Sequence, residues 1–433
     1  MRNMNYFCTV KRFGRLITLA IICVISLISN EIYAVNNVQP SKADNDSIEI
    51  SLLTCAPGKE VYSLYGHTAI RYNDKAKGID IAINYGMFSF KTPFFIPRFI
   101  FGLTDYEMGI IPFDAFCEEY RYEDRDVIQQ VLNLTADEKK EIIKAIETNY
   151  LPENRIYRYN YFYDNCTTRA RDILLNNING KIFYSDNQGS YPSYRDLIHA
   201  FNEEEPWARF GNDLLLGVKA DKPTNLKEHQ FLPYNLMHDF EKATIKDYNG
   251  KSRPLVIAQY KVVKCPDNSQ SRPLVIAQDK VVKGPDNSIY TDSEGFPLRP
   301  STCAWIIFCI VLLRTLTEFV LKKRFMAFDA ILMTLNGCVG LILFMMFFSK
   351  HPTTSTNLQI FLFNPLSLFY LYYVIKRKNN NKENYFWRFA IVSLIIFFIG
   401  GLFQDYAEGT YILASSLLIR CISKIIRKKN NDK

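Results

Sequence analysis

The stretch YDNCTTRARDILL, Tyr163–Leu175, marks the point where the chain changes from a loop to a helix at a cysteine. Asp164 and Asn165 are both suitable N-caps, because either side chain can accept hydrogen bonds from the free N–H groups of a first helical turn. Cys166 then lies at the positive end of the helix dipole, where a thiolate is favoured over a thiol. The stretch therefore predicts a reactive cysteine at the start of a packed helix.

A base for this thiol is predicted upstream, in GHTAIRY (66–72), a run of β-branched and aromatic residues that contains His67. The strictly alternating run Ile79–Tyr85 predicts a neighbouring strand that carries Asn84. We expect His67 to take the proton of Cys166 and Asn84 to orient the imidazole, with Asp164 as the alternative orienting residue. This combination is typical of a thiol hydrolase.

Four residues next to this pair are predicted to contact the substrate: Tyr65, Asn165, Thr167 and Arg169. Three other histidines are alternative bases, and each has a simpler structural explanation. His199 lies in the predicted helix Tyr194–Asn202, whereas His229 and His238 lie in polar segments that we expect to be exposed.

The composition of the 433-residue chain is an average over two parts that differ in hydrophobicity. It is 48% hydrophobic and 22% charged, with a formal net charge of +8. Residues up to about 300 have the pattern of a soluble domain, and the following residues have that of a membrane domain. At the N-terminus, basic residues precede the apolar run Leu16–Ile28 and the small residue Ala34, which predicts a signal peptide over 1–34. An uncleaved anchor is the alternative, although the apolar run is short for a span.

The C-terminal part predicts five membrane-spanning helices: Cys303–Leu321, Phe325–Phe348, Leu358–Ile375, Phe386–Phe403 and Tyr406–Ile422. With five spans, the basic segments Lys322–Arg324, Lys376–Lys378 and Arg427–Lys429 all fall on one side. Positive segments stay cytoplasmic, so the soluble part is expected in the periplasm and the spans in the inner membrane. Arg314 and Glu318 are spaced to pair on one helix face.

The soluble part predicts an α+β domain over 35–250, with an antiparallel sheet and helices. Thr135-Ala136-Asp137-Glu138 is a capping box, which predicts a helix start there. A linker is expected over 251–301, because Ser252–Ser269 recurs almost unchanged as Ser271–Ser288, and each copy can add one strand. An all-α membrane domain over 302–433 completes the chain.

The soluble cysteines fit an exported protein without a disulfide framework. Cys55, Cys117, Cys166 and Cys265 show no CxxC or Cys/His spacing, so neither a metal nor another cofactor is expected. The sequence neither requires nor excludes a disulfide between Cys55 and Cys117. The aromatic run Phe88–Phe101 is expected to cover the core, and the alternatives are an apolar wall for an acyl or glycan ligand and a lip that touches the membrane.

Several motifs in order resemble one bacterial family, that of the Lnb N-terminal periplasmic domain. They are GHTAIRY (66–72), INYGMFSF (83–90), PENRIYRYNYFYDNCTTRARDILL (152–175), FGNDLLLG (210–217) and EHQFLP (228–233), and the resemblance covers about residues 48–240. Separately, the order of a histidine strand before a cysteine helix resembles the circularly permuted papain-like hydrolases of the LRAT and NlpC type. That resemblance implies Cys166 as nucleophile and His67 as base.

These observations predict a membrane-anchored periplasmic cysteine hydrolase, of amidase, peptidase or acyl-transfer type, that acts on an envelope substrate. The alternatives are a non-catalytic module that binds a glycan, lipid or protein, and an assembly protein whose exterior domain docks a partner. A glycosidase with paired carboxylates is a weaker alternative, because the acidic cluster at 118–124 has the pattern of a solvated face. The expected partners are the bilayer and the envelope substrate, and no nucleic acid is expected.

Overall fold

The computed structural model describes residues 47–60, 62–88, 93–185, 189–264, 276–277, 280–281, 296–323, 325–370, 372 and 380–431. The predicted signal peptide and most of the second repeat copy lie outside these residues. The described strands are β1 (Ile48–Cys55), β2 (His67–Asp74), β3 (Ile79–Met87), β4 (Asp105–Pro112), β5 (Val127–Leu132), β6 (Ile156–Arg158), β7 (Lys181–Phe183), β8 (Tyr191–Ser193), β9 (Pro223–Thr224), β10 (Thr244–Lys246), β11 (Ser252–Pro254), β12 (Val256–Val263), β13 (Ile276–Ala277) and β14 (Lys280–Val281).

The described α-helices are α1 (Phe95–Ile100), α2 (Phe113–Tyr122), α3 (Ala136–Tyr150), α4 (Cys166–Leu175), α5 (Tyr194–Asn202), α6 (Pro206–Leu215), α7 (Leu226–His229), α8 (Pro233–Lys242), α9 (Pro300–Leu321), α10 (Met326–Met346), α11 (Asn380–Gly400) and α12 (Thr410–Asn431). Strands and helices thus share the first part of the chain, and the second part is helical. This agrees with the predicted α+β domain followed by an all-α domain.

A seven-stranded antiparallel sheet in the order β12-β5-β1-β2-β3-β4-β6 forms the centre of the first part. Its buried side chains, among them Ile50, Leu52 and Ile83, pack against helices α3, α4 and α8 to form the main core. Helix α3 begins at the predicted capping box: Thr135 accepts from Glu138 N–H, and the Glu138 carboxylate accepts from Thr135 N–H. Helix α5 has the predicted bounds, Tyr194–Asn202.

The first copy of the duplication corrects the predicted linker, because it belongs to the sheets. Strand β12 pairs with β5 at the edge of the large sheet, and β11 pairs with β10. Leu255 and Val263 are fully buried, at 0% and 1% exposed. This copy therefore pairs with an edge strand of the large sheet, and its apolar side chains complete the core beneath that edge. The described residues of the second copy form the short pair β13–β14.

Two of the described helices, α9 and α10, are long and apolar enough to cross a membrane, and 358–370 and 385–400 are shorter apolar helical segments. The third predicted span, Leu358–Ile375, is not continuous in its described part. Two short 3₁₀ turns, Leu358–Phe361 and Pro365–Ser367, occupy its first half. The Asn364 side chain accepts from Leu366 N–H and caps the second turn, which interrupts any single helix there.

A buried charge cluster joins α9, α10 and α12, and it takes the place of the Arg314–Glu318 pair that the spacing allows. Glu318 accepts from Arg420 Nη2 at 2.6 Å and pairs with Lys424 at 3.0 Å, and Arg420 Nε also donates to Asp329 at 2.7 Å. Two cations and two carboxylates thereby neutralise one another, which a buried site of low dielectric requires. Arg314 instead stacks over the Phe325 ring at 4.2 Å.

The helical part docks onto the sheet domain through hydrogen bonds with the backbone at the end of α6 and just after it. Gln359 Nε2 donates to Asp213 O at 2.8 Å, and Gln404 Nε2 donates to Leu216 O at 2.9 Å. Gly217 N–H donates to Thr353 O at 2.8 Å, and a Cβ on Gly217 would come within 2.6 Å of the facing backbone. A glycine is therefore required at this close approach.

Candidate active site

His67 and Asn84 are brought together by the β2–β3 pair, as the sequence predicted. His67 is the first residue of β2, and Asn84 lies opposite Ala69 on β3. The imidazole Nε2 donates to Asn84 Oδ1 at 3.1 Å. Because Nε2 carries the proton in this bond, Nδ1 of a neutral imidazole is left as the acceptor. Asp164, the alternative orienting residue, instead forms two hydrogen bonds with Arg169.

Cys166 is the first residue of α4, and Asn165 is its N-cap. Asn165 Oδ1 accepts from the N–H groups of Thr167 and Thr168, at 3.0 and 2.9 Å. Its Nδ2 donates to two backbone carbonyls, so both ends of the amide are used. The cap leaves the N–H of Cys166 itself, the first of the helix, pointing out of its end. The helix start is therefore fixed, with the thiol and one donor side by side.

Thr68 and Thr167, which directly follow His67 and Cys166, join strand β2 to the start of helix α4. Thr68 and Thr167 are fully buried, and their hydroxyls share a hydrogen bond at 3.0 Å. Next to this bond, the Cys166 thiol lies 3.8 Å from the Thr167 hydroxyl and beside His67 and the Thr68 backbone, both of which lower its pKa. Cys166, His67 and Asn84 thus form one connected row of side chains.

The pair changes the protonation of both partners. Burial raises the pKa of the Cys166 thiol, but the charge and hydrogen bond of His67, together with the Thr68 backbone and the Thr167 hydroxyl, outweigh it and lower the pKa from 9.0 to about 7. Burial lowers the pKa of His67, whereas the Cys166 thiolate and the Asn84 hydrogen bond raise it, and the net direction is upward. Both shifts favour a thiolate–imidazolium pair near neutral pH.

Of the residues predicted to contact substrate, the structure gives three a packing role. Tyr65 is buried, and its hydroxyl accepts hydrogen bonds from Asn202 and Asn212. Asn165 is used up as the cap, and the Thr167 hydroxyl is held by Thr68. The contact between Tyr65 and the substrate stays a prediction.

Arg169, the fourth of these residues, lies beside open space. It borders a polar cavity of about 440 Å³ that starts one turn beyond Cys166 and includes neither Cys166 nor His67. Its guanidinium is held by Asp164, at 2.6 and 2.8 Å, and stacks 3.6 Å above the Tyr157 ring. Arg169 therefore keeps a place at the site, between this cavity and the thiol.

An aromatic wall, which we define as Tyr106, Phe88, Phe95, Phe99 and Tyr159, leads away from the thiol. The rings stack in sequence: Tyr106 on Phe88 at 4.8 Å, Phe88 on Phe95 at 5.5 Å and Phe95 on Phe99 at 6.3 Å. Tyr159 closes the row against Tyr106 at 4.1 Å. Phe88 and Phe95 pack on the main core, as predicted, and the alternative role as an apolar wall for a ligand stays a prediction.

The far end of the aromatic wall lies at the end of a candidate membrane helix. The loop 349–351 follows α10, and Lys350 N–H donates to Phe101 O at 2.9 Å. His351 donates from Nε2 to Phe99 O at 3.0 Å, and the two rings are 5.9 Å apart. The aromatic wall thus runs from this loop to the thiol.

The other histidines and cysteines are placed elsewhere. His199 bonds Asp213 and Arg209, and His229 is buried, which lowers its pKa to about 4. Contrary to prediction, His229 is therefore not exposed. Cys55 and Cys117 are buried and form no disulfide, and burial raises the pKa of Cys55 to about 12. Within the described part of the chain, no cluster of three or more potential metal ligands occurs.

Comparison with known families matches two parts of the chain. Residues 35–200 match the Lnb N-terminal periplasmic domain, and residues 291–431 match the Lnb transmembrane domain. No curated protein and no solved structure matches the chain. The first range contains the candidate site and six of the seven strands of the large sheet, and the second contains the helical part.

Proposed function

This chain belongs to the Lnb family, as a membrane protein with a periplasmic N-terminal domain, and we propose that its periplasmic site is a thiol-dependent acyl hydrolase or acyltransferase. The observation that carries the proposal is the row of neighbouring side chains at the start of α4, in which His67 is hydrogen-bonded to Asn84 and lowers the pKa of Cys166. The row contains a nucleophile, a base and an orienting group, which is the set that covalent acyl transfer needs.

The proposed reaction has two steps. His67 Nδ1 takes the thiol proton, the Cys166 sulfur attacks an acyl carbonyl carbon, and the carbonyl electrons move to its oxygen. When the tetrahedral intermediate collapses, the bond to the leaving group breaks and the imidazolium of His67 returns its proton to that group. The thioester left on Cys166 is then released by water or by an acceptor nucleophile. Asn84 keeps Nε2–H bound throughout, which holds the ring and its tautomer.

The aromatic wall favours an amphiphilic acyl donor over a soluble peptide. Stacked rings offer an apolar surface along which a chain of methylene groups gains about 0.8 kcal/mol for each group removed from water. The wall begins at the loop after α10, which is a candidate membrane helix. We therefore propose an acylated envelope lipid or lipopeptide as substrate, entering from the membrane surface along these rings.

The test uses the full-length protein in detergent micelles with p-nitrophenyl octanoate and p-nitrophenyl acetate, followed by peptide mass mapping. We expect an octanoyl thioester on Cys166, absent in Cys166→Ala, and a rate at least about 10-fold higher for octanoate than for acetate. Phe88→Ala should reduce this preference, whereas Phe94→Ala, which removes a ring that is 80% exposed, should not.

If neither ester formed an adduct on Cys166, the proposed enzymatic function would be rejected. The non-catalytic binding module would then explain the domain better. An adduct without chain-length preference would retain the thiol chemistry and reject the lipid substrate.

A further inference from the structure

We propose that the Tyr157 hydroxyl donates a hydrogen bond to the oxyanion that forms when Cys166 attacks an acyl carbonyl. This assignment makes Tyr157 a catalytic residue, and it rests on the thiol acyl-transfer function proposed above. The sequence motif around Cys166 gave it no such role.

The Tyr157 hydroxyl and Cys166 both lie close to one point beside Gly86, where glycine has no side chain. A Cβ built on Gly86 would lie 3.7 Å from Cys166 Cβ and 3.9 Å from Tyr157 Oη, with Tyr106 Cδ2 at 3.8 Å. All three distances are ordinary van der Waals contacts, so a small group fits there without displacing anything. Gly86 also has a φ of 97°, a conformation that favours glycine and keeps this space free of a side chain. Cys166 Cβ and Tyr157 Oη therefore both approach the same side of Gly86, and we place the substrate carbonyl next to this point, clear of the Gly86 backbone.

The Tyr157 hydroxyl is buried and unused within the protein. The residue is 6% exposed, and its Oη has no hydrogen-bond partner among the residues that the structure describes. Leaving a buried hydroxyl unpaired costs about 1–3 kcal/mol. A donor held in this state is ready for a partner that arrives only with the substrate, and that is the property an oxyanion-hole group needs.

The surroundings keep this hydroxyl protonated and polarised as a donor. Burial raises the pKa of Tyr157 well above its usual range, and the nearby Cys166 thiolate adds to the effect. The Arg169 guanidinium, 3.6 Å above the ring, attracts the electrons of the ring and strengthens the O–H as a donor. Asp164 fixes that guanidinium with two hydrogen bonds.

The second donor is the N–H of Cys166. Asn165 accepts from the next two N–H groups of α4 and not from this first one, which belongs to the same residue as the thiol. When the sulfur–carbon bond forms, the carbonyl π electrons become an oxygen lone pair, and both donors stabilise that negative charge. When the leaving group departs, the electrons return to the carbonyl and both hydrogen bonds weaken. Tyr157 keeps its proton throughout.

The test compares two reactions of the same thiol in the full-length protein. Acylation by p-nitrophenyl octanoate forms an oxyanion, whereas alkylation by iodoacetamide displaces iodide and forms none. Tyr157→Phe should lower the acylation rate about 100-fold, the usual effect of removing one oxyanion donor. Its alkylation rate should stay within about 2-fold of the wild-type rate, because the thiolate is intact.

Tyr85→Phe is the matched control, since Tyr85 is also fully buried with an unpartnered hydroxyl in the described structure but borders the polar cavity. It should leave both rates unchanged. Equal acylation rates for Tyr157→Phe and wild type would overturn the assignment. An equal fall in both reactions of Tyr157→Phe would overturn it too, because it would show a packing role. Failure of the wild type to form any Cys166 acyl-enzyme would instead reject the proposed function.

Discussion

Replacing His67 by alanine tests how the thiol is activated. The surroundings of Cys166 lower its pKa from 9.0 to about 7, although burial alone would raise it. Among the groups that lower this pKa, His67 makes the largest contribution. A shift of about two pKa units corresponds to about 3 kcal/mol. At pH 7 the thiolate fraction is about one half in the wild type. In His67→Ala the pKa should return to about 9 or above, which leaves a thiolate fraction of at most about one in a hundred.

The rate of alkylation at pH 7 should change less than this fraction. A thiolate of higher pKa is more nucleophilic, with a Brønsted slope of about 0.4–0.5, so two pKa units increase its intrinsic rate about 6- to 10-fold. The about 50-fold loss of thiolate is therefore reduced to a net loss of about 5- to 8-fold. Above pH 9 the variant should react as fast as the wild type or faster. The midpoint of the pH profile is consequently the informative quantity.

The assay is iodoacetamide alkylation of the full-length protein from pH 5 to pH 10, with quantification of the Cys166 peptide by mass spectrometry. Because a thiolate is present only above the thiol pKa, the wild-type rate should rise through about pH 7 and that of His67→Ala through about pH 9. His199→Ala is the control, because its imidazole bonds Asp213 and Arg209 instead of the thiol. A midpoint near pH 7 in His67→Ala would refute the reasoning and assign the activation to the helix start alone.

Two further predictions concern the rest of the chain. Reporter fusions after Lys350 and after Lys378 should be periplasmic and cytoplasmic respectively, because the first borders the sheet domain and the second follows a basic segment; the same side for both would contradict the five-span topology. Deleting 252–270 or 270–288 should leave the melting temperature nearly unchanged, since either remaining copy supplies β11 and β12. Deleting 252–288 should cost several kcal/mol, as Leu255 and Val263 alone account for about 3–6 kcal/mol of burial. A large loss of thermal stability in either single deletion would contradict this.

The sequence by itself determined the features that depend on neighbouring residues. Asn165 can cap a helix because its amide reaches N–H groups two and three residues ahead, so the helix start at Cys166 could be predicted. The capping box at Thr135 followed in the same way. His67 and Asn84 lie on strands joined by a short turn, so their pairing was also a local inference. The α+β class and the helical second part followed from periodicity and hydropathy.

The tertiary structure alone decided which distant residues meet. Thr68 and Thr167, which align the histidine with the cysteine, are far apart in sequence, and neither differs in type from an ordinary surface threonine. Glu318 is spaced to pair with Arg314 in the same helix, but packing of α9 on α12 brings Arg420 to it instead. Tyr157 is one of several tyrosines in its segment, and only the fold leaves its hydroxyl unpaired beside Gly86. Capping and strand patterns act over a few residues, whereas these contacts depend on how whole elements pack, which no local pattern encodes.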